Sequence, residues 1–108
     1  MPVIDANLAL LELAKQLRLL DDHEDIASYL REENHRGFGK VVNQAGIEET
    51  LYLRDMTNKI MHSASIEWKL DDPDNPVVVV CHSDDLNRWL RAEIELRRLA
   101  GFVGMLMS

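Results

Sequence analysis

The stretch LRDMTNKIMHSASIEW, residues 53–68, changes its pattern of apolar residues halfway along. Its first half repeats large apolar side chains at the spacing of one helix face: Leu53, Met56 and Ile60. Its second half alternates apolar and polar side chains, which is typical of a half-buried strand. The stretch therefore predicts a helix, from about Glu48 to Ser63, that leads directly into a strand.

A β-hairpin is predicted immediately after this helix. SIEWKL, residues 65–70, alternates between the two faces of a strand, and DDPDNP, residues 71–76, is rich in turn-forming residues. VVVVCH, residues 77–82, is a β-branched run that suits a second strand. Because an isolated two-stranded hairpin is only marginally stable, we expect it to pack on helices.

The other periodic stretches favour helices. NLALLELAKQLRLL, residues 7–20, is apolar around more than half of the helix circumference, so this helix needs partners on two sides, as a central helix or at a dimer interface. We expect further helices over residues 24–35 and 83–106, and we favour a short helix for the ambiguous GKVVNQAG, residues 39–46. The sequence thus predicts a mainly α fold, a small helical bundle with one β-hairpin inserted before the C-terminal helix.

Length and composition predict one soluble domain, residues 1–108. The 108 residues are 46% hydrophobic and 29% charged, and a chain this small gains stability from dimerisation. Two glycines on one face of the last predicted helix, Gly101 and Gly104, indicate close approach of another backbone, from a neighbouring helix or a partner chain. We therefore expect a homodimer.

Charge and cysteine content restrict the functional classes. The net charge of −7 opposes non-specific binding of nucleic acid, whose affinity comes mostly from Lys and Arg on phosphates. A single cysteine, Cys81, allows no intrachain disulfide and fits a reducing compartment. We find no signal peptide and no apolar run of membrane-spanning length, so we expect a bacterial cytoplasmic protein that does not enter a membrane.

A polar stripe is the main candidate site. Arg54, Asn58 and His62 lie four residues apart on the predicted helix, on a flank between its apolar line and its water face. Histidine can act as a base near neutral pH, arginine can hold a phosphate, and asparagine can orient either group. The alternative is a structural role, in which these side chains hydrogen-bond neighbouring elements, and we favour it.

The same stretch carries a resemblance to known proteins. With the form LRDxxNKIxHS followed by a strand, and more loosely through SDDLNRWLRAEIELRRLAG, residues 50–104 resemble a group of small bacterial helical proteins. More distantly they resemble HEPN-type helical domains, many of which are metal-independent ribonucleases with sites assembled across a dimer. The resemblance implies a ribonuclease, related to toxins or phage defence, in which His62 is the base and Arg54 the phosphate clamp. Arg54 and His62 stand farther apart than the usual HEPN signature places its Arg and His.

Other polar clusters have simpler structural interpretations. DDHED, residues 21–25, and CHSDD, residues 81–85, contain metal-ligand residue types without diagnostic spacing, so we predict no metal and no cofactor. The basic residues of the last predicted helix have neighbouring acids and read as a solvated face: Arg88, Arg91, Arg97 and Arg98. Both tryptophans are expected in the core.

Two functional hypotheses follow. The first is a homodimeric interaction module without enzymatic activity, and its protein partner is undefined by the sequence. The second is the HEPN-like ribonuclease, with RNA as its substrate. The acidic charge and the spacing of the stripe favour the first hypothesis.

Overall fold

A computed structural model of the chain describes residues 3–26, 28, 30, 37–69 and 77–107. Within these residues, three helices and five strands follow one another along the chain: α1 (Val3–Glu24), β1 (Gly39–Asn43), β2 (Glu48–Leu51), α2 (Leu53–Met61), β3 (Ser63–Lys69), β4 (Val78–Ser83), β5 (Trp89–Glu95) and α3 (Leu96–Met107). All neighbouring strands pair antiparallel, and their order across the sheet is β2-β1-β5-β4-β3.

The prediction of a mainly helical bundle with one inserted hairpin is wrong, because the chain forms a mixed α/β fold around this five-stranded sheet. The expected hairpin is present as β3 and β4, but it is only part of the sheet. Its predicted turn, and most of the helix predicted over residues 24–35, lie outside the described residues.

The first hairpin occupies sequence for which the apolar pattern predicts helices. The segment expected as a short helix forms β1 and its turn, and the expected start of the next helix forms β2. In the turn, the side-chain oxygen of Asn43 accepts hydrogen bonds from the backbone N–H groups of Ala45 and Ile47, at 2.9 and 3.0 Å. Gly46 completes the turn with φ +81. An Asn side chain that bonds the backbone in this way stabilises a turn against a helix.

The second correction concerns β5, where a long C-terminal helix was expected. The segment RAEIE, residues 91–95, places two apolar residues, Ala92 and Ile94, on one side and charged residues on the other. Alternation of apolar and charged residues indicates a strand. The segment was nevertheless predicted as helix because Arg, Ala and Glu are good helix formers. Only Leu96–Met107, after β5, is helical.

One face of the sheet carries the core. The strand register places inward-facing apolar side chains from each strand on this face: Leu51, Val41, Ala92, Ile94, Val79, Cys81, Ile66 and Trp68. Buried side chains of α1 and α2 join them in one cluster: Leu10, Ala14, Leu17, Leu53, Met56 and Ile60. Helix α3 contributes Phe102, whose ring meets that of Phe38 edge to face at 5.3 Å.

The opposite face of the sheet is charged and open to solvent. Its side chains pair across strands, with Lys40 at 2.8 Å from Glu48 and His82 at 3.2 Å from Glu67. These pairs surround two valines, Val42 and Val80, which are 3% and 2% exposed. An antiparallel sheet with one apolar and one polar face is a common arrangement, and it assigns this side of the molecule to water.

Gly39 and the pair Gly101 and Gly104 have opposite environments. At Gly39, with φ +152, an added Cβ would lie 1.9 Å from the backbone oxygen of Glu93, so β1 and β5 meet there at a distance only glycine allows. A Cβ at Gly101 or Gly104 would meet no atom of the described residues within 4 Å, so no described segment makes the close backbone approach expected for them. None of the described helices has the length and apolar character required to cross a bilayer.

Candidate functional site

A polar cleft lies between the C-terminal end of α2 and the turn that joins β4 to β5. Its volume is about 390 Å³, which is within the range of small-molecule clefts. We call it the α2 cleft. The lining residues that the structure describes come from these two segments: Asn58, Lys59, His62, Asp84, Asp85, Arg88 and Trp89.

Backbone hydrogen bonds fix the two walls of the α2 cleft. His62 ends the helix by donating its N–H to the carbonyl oxygen of Asn58 at 3.0 Å. The N–H of Asp84 donates to the carbonyl oxygen of His62 at 3.2 Å and so joins the turn to the helix end. In the turn, the Ser83 hydroxyl accepts from the N–H of Asp85 at 2.8 Å and donates to its carbonyl oxygen at 2.9 Å. The walls are therefore held by main-chain hydrogen bonds and by the Ser83 hydroxyl.

Charged side chains of both signs face the α2 cleft. The Nδ1 of His62 lies 3.9 Å from Oδ2 of Asp84, and Nε of Arg88 lies 3.7 Å from Oδ2 of Asp85. The ammonium group of Lys59 lies over the ring of Trp89, 5.2 Å from its centroid. These distances describe loose ion pairs and one cation–π contact, so the charges remain able to reorganise around a ligand.

The predicted stripe is divided between two places. Asn58 and His62 line the α2 cleft, but Arg54 turns towards α1. Its Nη1 donates to Oδ2 of Asp21 at 2.7 Å and to Oδ1 of Asp22 at 2.9 Å. Hydrogen bonds to Asp22 and to Asp21 raise the pKa of Arg54. Arg54 thus joins α2 to α1, and the structure brings only two of the three predicted residues together.

The remaining cleft residues were missed in the sequence. Lys59 is not among the residues that the sequence singles out, and Asp84 and Asp85 lie at the start of the helix predicted over residues 83–106, which does not form there. The segment SDDLN, residues 83–87, is rich in turn formers, and this was the signal that could have identified a tight β4–β5 connection.

The other candidate clusters do not form sites. Among the described residues, no group of three or more His, Cys, Asp or Glu side chains is placed to hold a metal ion. Cys81 faces the helices, and burial raises its pKa to about 12, whereas its neighbour His82 faces the open side of the sheet. The arginines expected on one helix are distributed over the β4–β5 turn, the open sheet face and α3.

A second depression is apolar. Between α1, the end of α2 and the edge strand β3 lies a groove of about 280 Å³, which we call the α1–β3 groove. The lining residues that the structure describes are all uncharged: Asn7, Leu8, Leu11, Ile60, Met61, Ser63, Ala64, Ser65 and Ile66. Near it, the indole N–H of Trp68 donates to the side-chain oxygen of Asn7 at 2.6 Å and fixes the start of α1 against β3.

Comparison with known proteins gave no relative: no family model, no curated protein and no solved structure matches this chain.

Proposed function

We propose that the protein is a homodimeric interaction module and that two copies meet through the α1–β3 groove. The observation that carries this proposal is the uncharged lining of a groove beside an edge strand, in a chain whose residues are 29% charged. Depletion of charge is the compositional mark of an interface core. On a surface that only contacts water, a lining of nine residues would include charged ones.

Helix α1 supports the same surface. The buried side chains of α1 pack in the core with the sheet and α2, yet Leu8 remains 60% exposed at the rim of the groove. Together with Leu11, Met61 and Ile66, it forms an apolar surface that a partner would remove from water. Burying a leucine side chain fully is worth about 1.5–3 kcal/mol, so a pair of such residues from each copy supplies a substantial part of an association free energy.

The edge strand gives the partner a backbone to bind. Strand β3 ends the sheet and pairs only with β4 among the described strands, so the main-chain groups on its outer side face solvent. The register shift between Ser63 and Ser65 restricts regular pairing to residues 65–69. A second copy of β3 could extend the sheet over this segment, and a two-fold axis would bring both grooves together.

A second copy fits this surface better than a charged partner does. Two chains of net charge −7 repel one another, so they associate where neither presents a carboxylate. A basic partner would instead be drawn to acidic regions, and the described lining of the groove has none. We assign the dimer to the cytoplasm, where the single buried Cys81 would stay reduced.

The ribonuclease hypothesis is less well supported by the geometry. Metal-independent cleavage requires His62 and Arg54 to act on one phosphate, but Arg54 is bonded to two carboxylates of α1, while His62 faces the α2 cleft. The carboxylates of Asp84 and Asp85 in that cleft would also repel a phosphate. These two observations make the interaction module the preferred function.

The test is the mass of the protein in solution. We expect sedimentation equilibrium, from about 1 to about 100 μM, to give a species of twice 12.4 kDa for the wild type. Leu8→Glu and Ala64→Glu, both at exposed positions of the groove, should return the monomer because they bury a carboxylate in the interface.

The matched control is Leu86→Glu. Leu86 is 63% exposed on the β4–β5 turn, away from the groove, and its replacement should leave the dimer intact. A monomeric wild type at the highest concentration would contradict the proposal, and so would a dimer that all three variants retain.

A further inference from the structure

The α2 cleft contains polar groups that the chain itself does not use. Among the described residues, the side-chain amide of Asn58 and the ammonium group of Lys59 have no hydrogen-bonding or carboxylate partner. Among the same described residues, the carboxylate of Asp84 has only the 3.9 Å approach of His62. Three different chemical groups, a cation, an anion and an amide, therefore converge on one cleft with their binding capacity free.

From this arrangement we propose that the α2 cleft binds a small zwitterion, a molecule that carries an ammonium group and a carboxylate on a short aliphatic chain. The ligand carboxylate would lie against Lys59 and Arg88, and its ammonium group against Asp84. The amide of Asn58 can donate to the carboxylate or accept from the ammonium group.

The indole ring of Trp89 positions the cationic side chain of Lys59 in the α2 cleft. Trp89 is only 5% exposed, and the ammonium group of Lys59 lies over it. The attraction between a cation and the face of an indole restricts the lysine to the cleft, which lowers the entropy lost when a ligand carboxylate binds it. Arg88 stands beside it on the turn and is 82% exposed, so it can move towards the same carboxylate.

The anionic side combines a side chain with a helix end. Asp84 lies next to His62, where α2 terminates, and the carbonyl end of a helix carries a partial negative charge. An ammonium group placed there meets the Asp84 carboxylate and the helix dipole together. Both contributions have the same sign, so this side of the cleft favours a cation.

The balance of charges selects the ligand class. The cleft carries two permanent cations, Lys59 and Arg88, and two carboxylates, Asp84 and Asp85. An anion such as phosphate would meet both carboxylates, and a simple amine would meet both cations. A zwitterion pairs with each sign, and a cleft of about 390 Å³ accommodates a molecule of amino-acid size. Because His62 and Asp84 are 59% and 50% exposed, we expect affinity of only about 1 mM.

The two tryptophans allow a direct test. In a proton–nitrogen NMR spectrum, the indole N–H of Trp89 reports on the α2 cleft, and that of Trp68, bonded to Asn7, reports on the contact between α1 and β3. Titration with γ-aminobutyrate should shift the Trp89 signal in a saturable manner and leave the Trp68 signal in place. Butyrate and butylamine, each with one of the two charges, should bind at least about 10-fold more weakly.

Substitutions test which cleft residue binds the carboxylate of the ligand and which binds its ammonium group. Lys59→Gln and Asp84→Asn should each weaken γ-aminobutyrate binding about 10-fold, while Lys59→Arg should retain it. Lys40→Gln, a lysine on the open sheet face, is the control and should bind as the wild type does. Both cleft positions are partly exposed, and the dispersion of the spectrum confirms folding of each variant. Equal binding of butyrate or butylamine, or an unmoved Trp89 signal up to about 20 mM ligand, would overturn the proposal.

Discussion

Replacing Gly39 with alanine should destabilise the protein more than any comparable change at another glycine in its first hairpin. Two separate costs arise. The backbone at Gly39 has φ +152, a conformation that costs a residue with a side chain about 1–3 kcal/mol. The new Cβ would also lie 1.9 Å from the backbone oxygen of Glu93, where contacts below 3.0 Å are essentially never seen.

The second cost can be worked out from the strand pairing. To reach an allowed contact, β1 must move away from β5 by at least about 1 Å, which lengthens hydrogen bonds beyond their normal range. One bond at this place is the 2.8 Å bond from the N–H of Glu95 to the carbonyl oxygen of Phe38. Losing two such bonds costs about 2 kcal/mol, so the total for Gly39→Ala is about 3–5 kcal/mol.

The matched control is Gly46→Ala in the β1–β2 turn. Gly46 also has a positive φ, +81, but a Cβ there would meet no atom within 4 Å. Only the backbone cost of about 1–2 kcal/mol then applies. Urea unfolding followed by tryptophan fluorescence gives both free energies of unfolding. If the two variants differ by less than about 1 kcal/mol, the close approach of β1 and β5 does not exist and the reasoning is refuted.

Three further predictions concern single side chains. Burial raises the pKa of Cys81 from 9.0 to about 12, so the folded protein keeps the thiol proton that the unfolded chain releases near pH 9. The free energy of unfolding should therefore fall as the pH rises from about 9 to about 12. A disulfide reagent at about pH 8 should label the thiol only in urea. Arg54→Met should lower the melting temperature by several degrees because it removes the 2.7 Å ion pair with the buried carboxylate of Asp21, whereas Arg88→Met, at a loose surface pair, should melt as the wild type does. Equal melting temperatures would contradict the structural role of Arg54. Incubation of wild type and His62→Ala with total RNA in the absence of added metal should show no cleavage by either protein, and cleavage by the wild type alone would restore the ribonuclease hypothesis.

The sequence predicted helices and strands correctly where the spacing of apolar residues indicated one kind of element. The central part of α2 and the strands β3 and β4 were identified. The signals were helical spacing for α2, alternation of apolar and polar residues for β3, and a β-branched run for β4. The sequence failed at β1, β2 and β5. The segment RAEIE has the composition of a helix, and pairing with β1 on one side and β4 on the other decides its conformation. Pairing between strands far apart in the chain has little effect on the residue pattern of a short stretch of sequence.

The candidate site was predicted in part for a similar reason. Helical spacing correctly indicated that Asn58 and His62 share one side of α2, and both line the α2 cleft. Spacing alone could not show that Arg54 is drawn to Asp21 on another helix. Nor could it place Asp84 opposite His62, since that contact depends on the turn between two strands, one of which was expected as helix.

The position of β1 beside β5 has a consequence for the order of folding. The strands β1 and β2 form one unit between close neighbours in the chain, and β3, β4 and β5 form another. In the sheet, the two units join along the pairing of β1 with β5, as where Val41 pairs with Ala92 across about 50 residues, and closing a loop of that length costs more entropy than forming either hairpin. Each unit can therefore form early and separately, and the rate of folding is set by the event that joins them. Substitutions along this junction should slow folding, whereas equally destabilising substitutions at the sheet edges should mainly speed unfolding.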